Sequence, residues 1–186
     1  MSAEKLDIVA FLEDLFARRG AEDYLGEPVS MASHMLQAAM FAEREGAPPE
    51  LIAAALLHDV GHFANEIPPE VLARGRDNHH ERAGADFLAD YFPPAVVEPI
   101  RQHVAAKRYL CAVQPDYFAR LSPASVHTLE LQGGPMSAAQ VAEFERLPQL
   151  DACIRLRRWD EAGKDPALAH PDFAHFRPLL ERLSGG

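Results

Sequence analysis

Residues 51–63 read LIAAALLHDVGHF: seven apolar residues lead to His58 and Asp59, and His62 follows after Val60 and Gly61. A helix that apolar belongs in a core, where ionisable groups without partners are costly. An imidazole next to a carboxylate at such a place is explained by a metal ion. The pair offers both side chains to one metal, and the second carboxylate oxygen is free for another. Other residues extend the set. His34 sits among Met31, Met35, Ala38 and Met40, and so faces inward. His79-His80 opens a later helix. His103 has Lys107 one turn on, and Asp160 has Arg157 one turn back. His34, His58, Asp59, His80, His103 and Asp160 are six N/O donors on five helices with no thiolate, a set that suits iron, manganese or zinc. Two metals sharing Asp59 account for all six.

Taken singly, most of these residues have plainer readings. His34 alone is a hydrogen-bonded core histidine, His103 with Lys107 an exposed face, and Asp160 a surface carboxylate. His127, His170 and His175 read as surface or structural, and Arg108 and Arg158 as solvated. The His-Asp pair at the end of an apolar helix resists such a reading and draws the others with it.

The elements that must position these groups are helical. Leu6, Val9, Leu12, Leu15 and Phe16 share one face of a helix over 4–19 that Gly20 stops. Ser30 caps a helix to about Arg44, and Pro48-Pro49 opens the one carrying the quoted stretch. A loop is expected over 64–79, then helices over about 80–91 and 95–110, with Pro99 kinking or delaying the second. Ser137-Ala-Ala-Gln140 is a capping box for a helix to about 147, and another spans about 149–162. Only Tyr109–Val113 has strand character. The expectation is an all-α bundle of six to eight helices in a single domain, residues 1–186, with a core over about 5–180.

Composition narrows the function. The 186 residues suit one domain, and a net charge of −10 argues against nucleic acid or an anionic membrane surface as partner. No apolar run approaches the roughly 20 residues of a membrane span. Cys111 and Cys153 form no paired motif and the opening residues carry no secretory signal, which points to a cytoplasmic protein. Of nine histidines, seven lie between positions 34 and 127.

His34, His58-Asp59 and Asp160 match the H…HD…D signature of the HD-domain superfamily, and His80 and His103 resemble the extra pair of its dinuclear members. Beyond the ligands, Tyr24-Leu-Gly-Glu27, HVAAKRYL (103–110), LELQGGPM (129–136) and RRWDE (157–161) are similar to the HD-domain mixed-valent diiron oxygenases of organophosphonate catabolism. The resemblance implies one iron at His34, His58, Asp59 and Asp160 and another at Asp59, His80 and His103, an Fe(II)/Fe(III) pair bridged by Asp59. It implies that Tyr24 gates the open iron position and that Glu27 meets the substrate's cationic nitrogen. His62, Lys107, Ser125, Thr128 and Arg157 would hold the phosphonate, with Gln132 nearby. Lys107 and Arg157 supply the local positive charge that a phosphonate needs in so acidic a chain.

The implied reaction is O2-dependent cleavage of a C–P bond in a small 1-hydroxyphosphonate, releasing phosphate and a carboxylate. GRDNHHE (75–81) departs from the glycine-forming type and puts Asp77 and Asn78 near the nitrogen end. That favours the trimethylammonio substrate and glycine betaine over the primary amine and glycine. The same departure leaves a register question, His79 or His80 as ligand. Two rivals remain: a metal-dependent phosphohydrolase, which the H…HD…D set fits equally well, and a non-catalytic metal-stabilised regulatory domain. Tyr24, Glu27 and the HVAAKRY and QGGPM blocks are what a phosphohydrolase has no reason to carry.

Overall fold

The computed structural model describes residues 6–66 and 79–185. Among these, ten α-helices and one 3₁₀ segment are joined by short connections: α1 (Ile8–Arg19), α2 (Met31–Arg44), α3 (Pro49–Leu57), the 3₁₀ segment Val60–Glu66, α4 (His80–Leu88), α5 (Pro94–Val113), α6 (Pro115–Phe118), α7 (Pro123–Leu131), α8 (Ala138–Phe144), α9 (Leu150–Ala162) and α10 (Phe173–Ser184). The all-α expectation holds, with more helices than the six to eight expected. α6, α7 and α10 make the difference, each behind its own start signal: Pro115, Ser122-Pro123 and the N-cap Asp172. No helix among the described residues is long and apolar enough to cross a membrane.

α3 is the centre of the fold because it has no polar face to give to water. Every residue from Leu51 to Leu57 is buried, and the helix packs against α2, α5 and α9. These four helices, with the turn that follows α3, bring five of the six proposed donors together. The expected caps are present: Ser30 accepts from the Ser33 N–H, and the capping box of Ser137 and Gln140 forms in both directions.

Three local expectations are corrected. α1 begins only at Ile8, capped by Asp7, so Leu6 precedes the helix and is exposed. Tyr109–Val113 is the last turn of α5, not a strand. The helix ends because Pro115 demands an extended Gln114, which sits at φ −130°, ψ 91°. Pro99 lies inside α5 and does not delay its start. The expected loop over 64–79, with Asp77 and Asn78, lies largely outside the described residues.

The connection after α1 carries Tyr24 and Glu27. An isolated bridge between Asp23 and Ser30 closes it, and the Glu27 N–H returns to the Tyr24 carbonyl at 2.7 Å. This reversal places Leu25 and Gly26 at φ +40° and +84°, a turn in which glycine is at home.

Candidate active site

The apolar helix α3 ends at Leu57, and His58 and Asp59 sit on the turn that leads into the 3₁₀ segment. His58 still has helical φ and ψ, so its ring continues the inward face. α2 delivers His34 and α9 delivers Asp160. His34 Nε2 lies 3.0 Å from His58 Nε2, 3.4 Å from Asp59 Oδ2 and 3.4 Å from Asp160 Oδ1. All four residues are at most 1% exposed.

A second group meets the other oxygen of Asp59. His80 Nε2 lies 3.3 Å and His103 Nε2 3.4 Å from Asp59 Oδ1, and the two nitrogens are 3.1 Å apart. His80 reaches this point because the 3₁₀ segment and the start of α4 touch backbone to backbone. A Cβ on Gly61 would stand 1.8 Å from the His80 carbonyl oxygen, so only glycine permits the approach. His79 is exposed, with Nδ1 3.6 Å from Glu81 Oε1, and it is His80 whose ring turns inward.

These groups fit metal ions. Donors each about 2.1 Å from one ion and 90–120° apart stand roughly 3.0–3.6 Å from one another. In the first group the separations run from 3.0 to 3.7 Å and in the second from 3.1 to 3.4 Å, close to that interval. Asp59 Oδ2 and Asp160 Oδ1 are buried with no hydrogen-bond partner, as an oxygen reserved for a cation would be. The far nitrogens of the rings are committed: Nδ1–H of His34, His58 and His103 donates to the carbonyls of Gly163, Ala55 and Ile100 at 2.7–2.8 Å. That tautomer turns each Nε2 lone pair into the site.

The electrostatics agree. Burial opposes ionisation of Asp59, but His58 and the neighbouring rings of His103, His34 and His80 outweigh it and hold the carboxyl well below its usual range. For Asp160, Arg157, His34 and His58 likewise outweigh burial. Burial would lower His34, yet its contacts with Asp160 and Asp59 raise it to about 9.

Beside the donors opens a cleft. Tyr24, Glu27, His62, Lys107, Ser125, Thr128, Gln132 and Arg157 all line it, as do Asp59, His80, His103 and Asp160. Tyr24 lies flat on His34, ring centroids 3.9 Å apart, and burial, with Asp59 and Asp160 beside it, pushes its phenol well up. His62 stacks on His80 at 3.9 Å, and burial lowers it to about 4, so its imidazole is neutral. Lys107 donates to Thr128 Oγ1 at 2.9 Å, and burial together with Arg157 lowers it to about 8. Gln132 Oε1 is buried without a partner.

Two side chains have neighbours that sequence reasoning missed. Arg157 donates to the Tyr117 hydroxyl, to Asp160 Oδ2 and to Glu161 Oε2. It thereby occupies one oxygen of Asp160 and turns the other towards His34. Glu27 accepts from the Ser122 hydroxyl and is paired with Lys164 at 3.0 Å. Glu161 follows Asp160 directly, but Lys164 comes after Gly163 ends α9, where helical phase no longer says which way a side chain points.

Residues 31–142 match the HD domain family, a span that contains every proposed metal donor except Asp160. The chain is 52% identical over 177 residues to the glycine-betaine-forming 1-hydroxy-2-(trimethylamino)ethylphosphonate dioxygenase of Leisingera caerulea, covering 95% of this chain and 90% of that protein. It is 45% identical over 161 residues to the hydroxymethylphosphonate dioxygenase of Gimesia maris, covering 86% and 80%.

Proposed function

Because the chain belongs to the HD-domain family and, within it, stands with phosphonate dioxygenases, we propose that it cleaves the C–P bond of 1-hydroxy-2-(trimethylammonio)ethylphosphonate with O2, giving glycine betaine and phosphate. The observation that carries the reading is Asp59, which faces one donor group with Oδ2 and the other with Oδ1, at the floor of a cleft that also holds a lysine and an arginine.

In this reading His34, His58, Asp59 and Asp160 hold one iron, and Asp59, His80 and His103 hold the other. The Fe(II)/Fe(III) pair supplies the activation of O2 and the electron transfers that oxidation of C1 requires. The N/O donor set without thiolate supports iron, and the relatives' dioxygenase names support O2 as co-substrate.

The remaining residues bind and orient. Lys107, with Thr128 hydrogen-bonded to it, meets the phosphonate as a point charge held on a buried stem. His62, half-buried and neutral, donates one N–H to a phosphonate oxygen without adding charge. Ser125 and Gln132 complete the polar wall. Arg157 lends field from behind while fixing Asp160. Glu27 answers the substrate's cationic nitrogen, and Tyr24 covers the approach to the metal donors until substrate enters. The alignment of both ends sets C1 over the Asp59 floor. The net charge of −10 supports a small molecule over nucleic acid as partner, and two cysteines in no paired motif support a cytoplasmic setting.

The test is O2 consumption and phosphate release by the iron-loaded protein given racemic 1-hydroxyphosphonates bearing a trimethylammonio group, a primary amine or no nitrogen. The expected order puts the trimethylammonio compound first. Preference for the primary amine would move the assignment to the glycine-forming reaction. Turnover of phosphate esters under strict anaerobiosis would replace the oxygenase by a hydrolase.

A further inference from the structure

Glu27 and Lys164 form an ion pair inside the cleft, with side chains 8% and 11% exposed and Nζ 3.0 Å from Oε1. The two partners are not equally dependent on it. Lys164 also donates to Ser125 Oγ at 2.7 Å and to Glu161 Oε2 at 3.1 Å, so without Glu27 it keeps an acceptor and a counter-charge. Glu27 has, besides Lys164, the Ser122 hydroxyl. A cation arriving at Glu27 can therefore displace Lys164 without stranding it, whereas Lys164 leaving without a replacement strands a half-buried carboxylate. Both residues line the same cleft as Lys107 and the metal donors.

We propose that Glu27–Lys164 is an exchangeable pair in which the substrate's cationic nitrogen takes the place of the Lys164 ammonium on Glu27, so that Lys164 sets the discrimination between phosphonates with and without such a nitrogen. The inference rests on the phosphonate reading of the cleft. Lys164 is a resident competitor for the cationic substrate, since binding must separate an existing pair. For a nitrogen-free phosphonate it is the opposite, a shield. The pair stays closed and the carboxylate of Glu27 does not repel the anionic ligand. Lys164, falling back on Glu161 and Ser125, remains beside Arg157, whose guanidinium shares Glu161. The exchange thus moves one positive charge out of the nitrogen subsite and replaces it with the ligand's own, leaving the net charge of the cleft and its ligand matched.

Anaerobic calorimetry on the metal-loaded protein tests this without turnover, using 1-hydroxy-2-(trimethylammonio)ethylphosphonate and hydroxymethylphosphonate as the two probes. In Lys164→Gln the cationic probe should bind more tightly and the nitrogen-free probe more weakly, so that the ratio of their dissociation constants shifts by about tenfold, the scale of a close charge pair. In a Glu27→Gln background the Lys164→Gln change should move the ratio little, because the carboxylate they compete for is gone. Melting temperature and metal content report whether each variant folds. Equal weakening of both probes in Lys164→Gln overturns the exchange and makes Lys164 a phosphonate contact. An unchanged ratio overturns it and makes the pair a structural tie. Wild-type protein that binds neither probe overturns the phosphonate reading and the exchange with it, whereas wild-type binding with the wrong variant pattern overturns the exchange alone.

Discussion

His34 and His58 bring their Nε2 atoms to 3.0 Å from one another, each ring backed by an Nδ1–H donated to a main-chain carbonyl. Two imidazoles in that tautomer point lone pairs at each other, which only a proton or a metal cation between them relieves. The partnerless oxygens of Asp59 and Asp160 close on the same point. His80 and His103 likewise bring their Nε2 atoms to 3.1 Å from one another, on the other oxygen of Asp59. The core is therefore folded around positive charge, and Asp59 is the residue both halves share.

Asp59→Asn should cost the protein both metals or leave one weakly held. An amide offers one oxygen, and its NH2 must face one of the two histidine pairs. Metal analysis after dialysis should give one ion or fewer per chain where the wild type keeps two. Saturation of one site at a hundredfold excess over its Kd adds about 2.7 kcal/mol, roughly 5–10 °C in melting temperature for a domain of this size. Wild type should show that rise on adding metal, and the variant should lose much of it. A variant that retained two ions would remove Asp59 from its bridging place.

Lys107 should give the pH profile an alkaline limb. Burial and the neighbouring Arg157 lower it to about 8, so the ammonium that meets a phosphonate is present below that pH and lost above it. kcat/KM should fall as pH rises through about 8, towards one decade per pH unit. Lys107→Arg keeps its charge across the range and should flatten that limb even if the fork fits less well. Lys107→Met should lower kcat/KM at pH 7 by roughly 10- to 100-fold, the worth of a hydrogen bond to a charged group. An unaltered limb in the methionine variant would assign it to another residue.

The metal floor was legible because its signal is a conflict: seven apolar residues of α3 ending in His58-Asp59 are hard to fold unless a cation waits there. His34 could be turned inward by its apolar neighbours, whereas His103, which alone reads as an exposed face beside Lys107, joined the set only through the His-Asp pair and the resemblance. The partners of Glu27 were not legible. Lys164 lies 137 positions away, past the glycine that ends α9, and the reach from the turn after α1 to that point is a tertiary fact. Arg157 was read as a substrate cation, while its contacts with Tyr117, Asp160 and Glu161 also give it the work of orienting a ligand. α10 was hidden for a different reason. It grows from a proline-rich tail and carries Pro178 within it, a composition that local reading takes for loop.

Gly61→Ala should separate the two metal positions. Its Cβ would lie 1.8 Å from the His80 carbonyl oxygen and 2.8 Å from the Gly84 nitrogen, both backbone atoms that cannot swing aside. α4 must move off, taking His80 with it. A clash of this kind belongs with the severe single substitutions, at about 4 kcal/mol or more, or at least about 8 °C in melting temperature. Metal analysis should show loss at the His80 and His103 position with the His34 and His58 position still filled. Equal loss at both would mean that the contact supports the whole core and not α4 alone.

Arg157→Gln should act on one metal and leave the other in place. The guanidinium occupies Asp160 Oδ2 and is the largest of the influences that outweigh burial and keep Asp160 ionised. With glutamine there, Asp160 keeps its position on α9 but loses the charge that orients it. Removal of a group that orients a ligand typically lowers metal affinity 10- to 100-fold. Chelator competition should therefore release the ion held by His34, His58 and Asp160 at a lower chelator concentration than in wild type. The ion at His80 and His103, which Asp160 does not reach, should leave at the wild-type concentration. Arg157→Lys, which restores charge without the fork, should recover part of the difference. A simple phosphonate-binding role would instead raise KM and leave both release curves where they were.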